Sequence, residues 1–162
     1  PIILEKYQLN KMSYLFVGTD SENPKFYIID YGIKQIIKSF SMKNSISAIC
    51  VYSTTNSQLF AYTSDYLGTI TEFDVSKAKL NTEFSVGTNT LDLITYDDYY
   101  LMCCGDRNNS VKSIIRHKHR VGKVFGDVHS KVILNVQKFN VQGFGSCLFT
   151  LSADKKIKMF KF

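Results

Sequence analysis

Residues 63–74 read Thr63-Ser64-Asp65-Tyr66-Leu67-Gly68-Thr69-Ile70-Thr71-Glu72-Phe73-Asp74, and they follow the apolar run Leu59-Phe60-Ala61-Tyr62. Ser, Asp and Gly between two apolar runs make a turn: the short polar side chains bond nearby backbone, and Gly accepts the turn's unusual angles. The second run ends in the bulky Phe73. The same order occurs three more times. Leu15-Phe16-Val17-Gly18-Thr19-Asp20 leads to Ile29-Asp30, Leu101-Met102-Cys103-Cys104-Gly105-Asp106 leads to Ile115-Arg116, and Leu148-Phe149-Thr150-Leu151-Ser152-Ala153-Asp154 leads to Phe160-Lys161. The turn Asp, at 20, 65, 106 and 154, recurs after 45, 41 and 48 residues; the closing bulky residue, at 29, 73, 115 and 160, recurs after 44, 42 and 45. Two markers holding one period define an internal repeat, and a period of about 40–45 residues is that of a four-stranded propeller blade.

Outward from this repeat the chain keeps strand chemistry. It has only 2 Pro, 14% aromatic residues and many β-branched ones, which favour a pleated surface. No window of helical periodicity runs beyond about three turns. The 162 residues, 44% hydrophobic and 21% charged, have an ordinary globular composition. No apolar run approaches the roughly 18 residues of a membrane helix, so membrane insertion is not expected. Four Cys, two of them adjacent, do not make a disulfide framework; reduced thiols and an intracellular location, cytoplasmic or nuclear, are the expectation. The net charge of +6 permits an acidic partner without requiring one.

Residues 63–74 resemble the turn-plus-strand signature of the WD-repeat family, with Phe73 where Trp is usual and one extra residue in the turn. Ser152-Ala153-Asp154-Lys155-Lys156-Ile157-Lys158-Met159-Phe160-Lys161 is similarly close, with Phe160 for Trp and Lys161 for Asp. His129-Ser130-Lys131-Val132 resembles the family's Gly-His-x-x-Val opening, with Val128 in place of Gly. The chain contains no Trp, so the resemblance is to a divergent member. It implies an all-β fold, a β-propeller of four-stranded antiparallel blades, with about four blades at 1–40, 41–86, 87–127 and 128–162. The strands fall at 2–9, 14–18, 25–30 and 34–40; 46–52, 59–63, 69–74 and 80–85; 91–96, 100–104, 110–115 and 121–126; and 131–138, 147–151 and 156–161. The fourth blade lacks an outer strand, and the chain reads as the C-terminal half or so of a larger ring. His129 is expected to tie strand connections together within its blade. The resemblance further implies a non-catalytic scaffold, a subunit of a multiprotein complex, holding other proteins or peptides on the face formed by the blade turns. Tyr66, Arg107 and Lys155 lie in those turns and are the candidate partner contacts.

Other chemistry is sparse. His117, His119, His129 and the Cys103–Cys104 pair are the metal-ligand candidates, but adjacent cysteines on a strand point to opposite faces and cannot converge on one ion. No Gly-x-Ser-x-Gly nucleophile turn occurs, and Gly143-Phe144-Gly145 lacks the Lys and the helix of a phosphate loop. No catalytic residue, cofactor, metal or small-molecule substrate is expected. The sharpest compositional feature is the segment 112–123, with Lys112, Arg116, Lys118, Arg120, Lys123, two His and no acid. Its plain reading is a solvated loop between strands. Its sharper reading is a phosphate-contacting patch, the mark of a propeller subunit in an RNA–protein assembly such as those of ribosome biogenesis.

Overall fold

The computed structural model describes residues 2–87, 89–105 and 109–161. Among the described residues fifteen strands follow one another: β1 (Ile2–Leu9), β2 (Met12–Thr19), β3 (Lys25–Asp30), β4 (Gln35–Ser41), β5 (Ile46–Ser53), β6 (Leu59–Asp65), β7 (Thr69–Asp74), β8 (Lys79–Ser85), β9 (Asp92–Thr95), β10 (Tyr100–Cys104), β11 (Val111–Ile115), β12 (Arg120–Phe125), β13 (Ile133–Val141), β14 (Gly145–Ser152) and β15 (Ile157–Lys161). One 3-10 turn, Arg116–Lys118, joins β11 to β12; no α-helix occurs among the described residues, and none is long and apolar enough to cross a membrane.

The strands form four antiparallel meanders, β1–β4, β5–β8, β9–β12 and the three-stranded β13–β15. In β2 every second residue is buried, as the period of two in Tyr14, Phe16 and Gly18 dictates. Three of the sheets carry a register shift between their third and fourth strands, at Ile28/Ile29, Glu72/Phe73 and Lys112/Ile114. A bulge of this kind raises the local twist and lets the outer strand curl away from the sheet.

The first strands lie side by side along the chain, β1 with β5, β5 with β9 and β9 with β13. The cores lie between consecutive sheets. Phe16, Phe26 and Ile28 of the first meet Ile49, Leu59 and Phe73 of the second, with the Phe26 and Phe73 rings 4.5 Å apart. Tyr62 and Ile70 of the second meet Leu93, Leu101 and Ile114 of the third. Met102, Cys104 and Val111 of the third meet Ile133, Val136 and Leu148 of the fourth. The adjacent thiols thus part as expected, Cys103 into the second seam and Cys104 into the third. The sheets are drawn together tightly at Gly18, where an added Cβ would stand 2.8 Å from the Ile46 Cγ2. The two outermost faces stay bare and apolar. Leu4 and Ile36 on the first sheet are each 60% exposed, and Ile157 on the last is 69% exposed.

Candidate partner-binding surface

Because each sheet is an up-and-down meander, its second-to-third-strand turn and the connection from the previous sheet emerge at one end of the strands. Its other two turns emerge at the opposite end. At the first of these ends Glu22 and Pro24 from the β2–β3 turn, Lys43 and Ser45 before β5, and Tyr66 and Leu67 from the β6–β7 turn line one cleft of about 340 Å³. A neighbouring hollow of about 420 Å³ shares Glu22, Pro24 and Lys43 and extends to Met42. Tyr66 is 45% and Leu67 69% exposed, so a phenol and an aliphatic chain stand in water beside each other. Lys43 is tied to Glu83 at 2.6 Å on the rim. Lys155 lies exposed in the β14–β15 turn with left-handed backbone, φ 65°. Arg107, the third expected contact, lies outside the described residues. Of the residues lining the cleft, the sequence alone singles out Tyr66 and not Leu67, Lys43 or Glu22.

Carboxylates hold the turns at this end in place. Asp65 Oδ1 accepts the backbone N–H groups of Leu67 and Thr69 at 2.9 and 2.8 Å, while its Oδ2 accepts the Asn44 side-chain amide at 2.7 Å. In the fourth sheet Asp154 does the same work with His129. The imidazole Nδ1 stands 3.0 Å from Oδ2, the Ser130 and Lys156 N–H groups donate to the same carboxylate, and the imidazole Nε2 meets Thr150 Oγ1 at 2.8 Å. An ionised carboxylate can only accept, so Nδ1 carries a proton. Burial alone would raise the Asp154 carboxyl; the Ser130 and Lys156 N–H groups and His129 together outweigh it and hold the pKa well below the ordinary carboxylate range. A recurring signal was available in the sequence: Asn44, Asn89 and His129 follow one another after 45 and 40 residues.

The order Asp154–His129–Thr150 has the connectivity of an acyl-transfer triad. Thr150 is 1% and His129 4% exposed, however, so the hydroxyl is shut off from any substrate and the arrangement serves as a brace. Among the described residues no three His, Cys, Asp or Glu side chains gather closely enough to hold a metal ion.

The basic segment is only in part the loop of its plain reading. Residues 112–115 and 120–123 are strands, and only 116–119 form a loop, at the end opposite the cleft. Lys112 pairs across from Cys103, which turns it toward the second sheet; it is 9% exposed and donates to the Val86 carbonyl at 3.0 Å. The Arg116 guanidinium lies 3.4 Å over the Tyr52 ring and donates through Nη2 to the Asp98 carbonyl at 2.6 Å, while the Tyr52 hydroxyl donates to Asp98 Oδ1. His119 stacks by Phe84 and stands 3.6 Å from Glu72, which also accepts the Tyr62 hydroxyl. Lys112 is therefore buried in the seam between the second and third sheets, and Arg116, half-buried, lies across that seam on Tyr52. Lys118 and Arg120 remain exposed, and Lys123 lies over the Phe125 ring.

No protein-family model matches the chain, and no curated protein matches it by sequence. Solved structures do match. BBS1N in complex with ARL6DN superposes with a TM-score of 0.75 at 15% identity, covering 98% of this chain and 47% of that one. Sqt1 of Saccharomyces cerevisiae gives 0.71 at 15% identity, covering 91% and 41%. The hydrazine synthase of Kuenenia stuttgartiensis gives 0.66 at 11% identity, covering 91% and 46%. The chain spans less than half the length of each of these. At such identities the likeness bears on architecture alone, and together with the four consecutive antiparallel sheets packed face to face it shows what the repeat of period 44 encodes: a run of β-propeller blades.

Proposed function

We propose that this chain is a WD-repeat-type propeller segment that acts as a non-catalytic scaffold, docking a protein or peptide on the loop end of its blades. Tyr66 and Leu67 are the anchors and Lys43 and Lys155 the rim. The exposed Tyr66–Leu67 pair beside the cleft carries this reading. Side chains of these types gain most from burial against a partner, and the Asp65 hydrogen bonds already hold their turn in shape, so little ordering cost attaches to binding. The His129–Asp154 brace stands where the resemblance to WD repeats expects a tie between strand connections. BBS1N, a chain of similar fold, was solved in complex with ARL6DN, which fits a docking role. Because one fold hosts many activities, the hydrazine synthase likeness adds no reaction to this chain. The burial of Lys112 and the engagement of Arg116 with Tyr52 and Asp98 weigh against the RNA reading. The test is affinity capture of partners by the wild type and by a Tyr66→Ala, Leu67→Ser variant. Loss of the captured proteins with an unchanged circular dichroism spectrum is expected; full retention would reject the loop-end site.

A further inference from the structure

The end of the blades opposite the cleft differs from it in charge. Its turns and strand ends carry Lys11, Lys34, Lys79, Lys118 and Arg120, all exposed, and Lys77, which is engaged with Asp74 at 3.2 Å. The carboxylates at this end are occupied within the fold. Asp74 is buried. Asp30 and Asp97, half-buried, accept N–H groups of their own turns, Asp30 from Gly32 and Ile33 and Asp97 from Tyr99 and Tyr100. Among the described residues at this end only Asp98 is an exposed acid, and its Oδ1 accepts the Tyr52 hydroxyl. At the cleft end, by contrast, the exposed lysines are interspersed with Glu22, Glu83 and Asp127.

Apolar side chains stand among these cations. Tyr31 and Ile33 in the β3–β4 turn, Tyr99 in the β9–β10 turn and Phe144 in the β13–β14 turn are each more than half exposed. Their turns are already shaped. The Asp30 and Asp97 hydrogen bonds hold the first two, and the Phe144 N–H closes the third on the Val141 carbonyl at 3.0 Å, between Gly143 and Gly145 with left-handed backbone. These tips belong to the first, third and fourth sheets, so they project as separate points on one end and not as the walls of one groove. A folded protein would need a matching pocket for each point. A lipid surface takes all of them at once, with rings and aliphatic chains in the interfacial layer and cations among the headgroups.

We propose that this end is a peripheral docking face for an anionic lipid bilayer. Ile33, Tyr99 and Phe144 dip into the interface, and Lys34, Lys79, Lys118 and Arg120 hold the headgroups. The chain lies on the bilayer and does not span it. Tyr66 and Leu67 are at the other end of the blades, so a bound membrane leaves the cleft open to its partner.

The chain has no Trp, so Phe144→Trp supplies a single fluorescent reporter at this end and Leu67→Trp one at the other. With phosphatidylcholine vesicles containing phosphatidylserine, emission of the first should shift to the blue and that of the second should not. The whole 162-residue wild type should float with these vesicles and not with phosphatidylcholine alone, and rising salt should weaken the binding. A Lys34→Glu, Lys118→Glu, Arg120→Glu variant, changed only at exposed positions, should bind on the order of a hundredfold more weakly. An Ile33→Ser, Phe144→Ser variant should lose on the order of tenfold. Absence of flotation overturns the proposal. So does a blue shift confined to Leu67→Trp, or flotation indifferent to the charge reversal. RNA binding that the charge reversal removes, with vesicles left unbound, would assign the face to nucleic acid and overturn it too. None of these results bears on capture of proteins through Tyr66 and Leu67, so that site stands or falls separately.

Discussion

His129 and Asp154, 25 residues apart in sequence, meet at 3.0 Å and lock the connection into the fourth sheet onto that sheet's own turn. The Asn44–Asp65 contact at 2.7 Å is its counterpart in the second sheet. In the second and fourth sheets the turns of the loop end therefore owe their shape to a carboxylate that accepts backbone N–H groups, with an Asn amide or an imidazole closing the clasp.

The Asp154 carboxyl has a folded pKa below its ordinary value of 3.8. A group depressed in the folded state stabilises fully above its unfolded pKa and loses that contribution as pH falls through the folded one. Wild type and an Asp154→Asn variant should therefore differ by a constant amount from about pH 5 to 7, and the gap should shrink as pH drops below 3.8. Burial raises the Asp92 carboxyl, an effect only partly offset by the Val136 and Leu93 N–H groups, so Asp92 works in the opposite direction, gaining stability on protonation. Urea midpoints measured at several pH values check this. A gap that widens in acid would contradict it.

Gly18 has no room for a side chain. A Cβ there meets the stiff, β-branched Ile46 at 2.8 and 3.0 Å, across the seam between the first two sheets. Gly18→Ala should destabilise by about 1–3 kcal/mol. Ile46→Val leaves the blocking Cγ2 position occupied, so it should not rescue the variant; Ile46→Ala should rescue it in part. Equilibrium unfolding of the two single variants and the pair measures the coupling.

Arg116 joins the third sheet to the second through Tyr52 and Asp98. Arg116→Ala should cost about 1–2 kcal/mol, and Arg116→Lys should recover little, because an ammonium does not reproduce the flat stack on Tyr52. Charge reversal at exposed Lys118 and Arg120 should leave stability within about 0.5 kcal/mol of wild type. Thermal or urea unfolding separates the two classes.

With Lys112 and Arg116 engaged in the seam, the chain should bind RNA only weakly. A log–log plot of affinity against salt should be shallow, corresponding to contacts from Lys118, Arg120 and Lys123 at most. A steep slope that disappears in a Lys118→Glu, Arg120→Glu variant would instead favour the RNA–protein assembly.

The strands were legible because alternation and turn residues are local signals. Phe16, Phe26, Phe73 and Leu148 lie on strands expected from the sequence and are buried. The resemblance also placed His129 correctly as a tie within its blade. The basic segment misled because a Lys or Arg is ordinarily solvated. What turns Lys112 inward is its register opposite Cys103 and a carbonyl at Val86, neither of which is a property of residues 112–123. The cleft was half legible for a similar reason. Tyr66 declares itself as a turn aromatic, whereas Glu22, Pro24 and Lys43 join it from turns more than 20 residues away, brought near only by the packing of two sheets.

The docking claim is tested most directly by placing a photo-crosslinking amino acid at one end of the blades or the other. One protein carries it in place of Leu67, beside the cleft, and another in place of His117, in the exposed loop at the opposite end. Irradiated in cell extract, the first should give discrete protein adducts that Tyr66→Ala diminishes, and the second should give none above background. Adducts at position 117 with none at 67, whether to protein or to RNA, would contradict the assignment of the loop end as the docking surface.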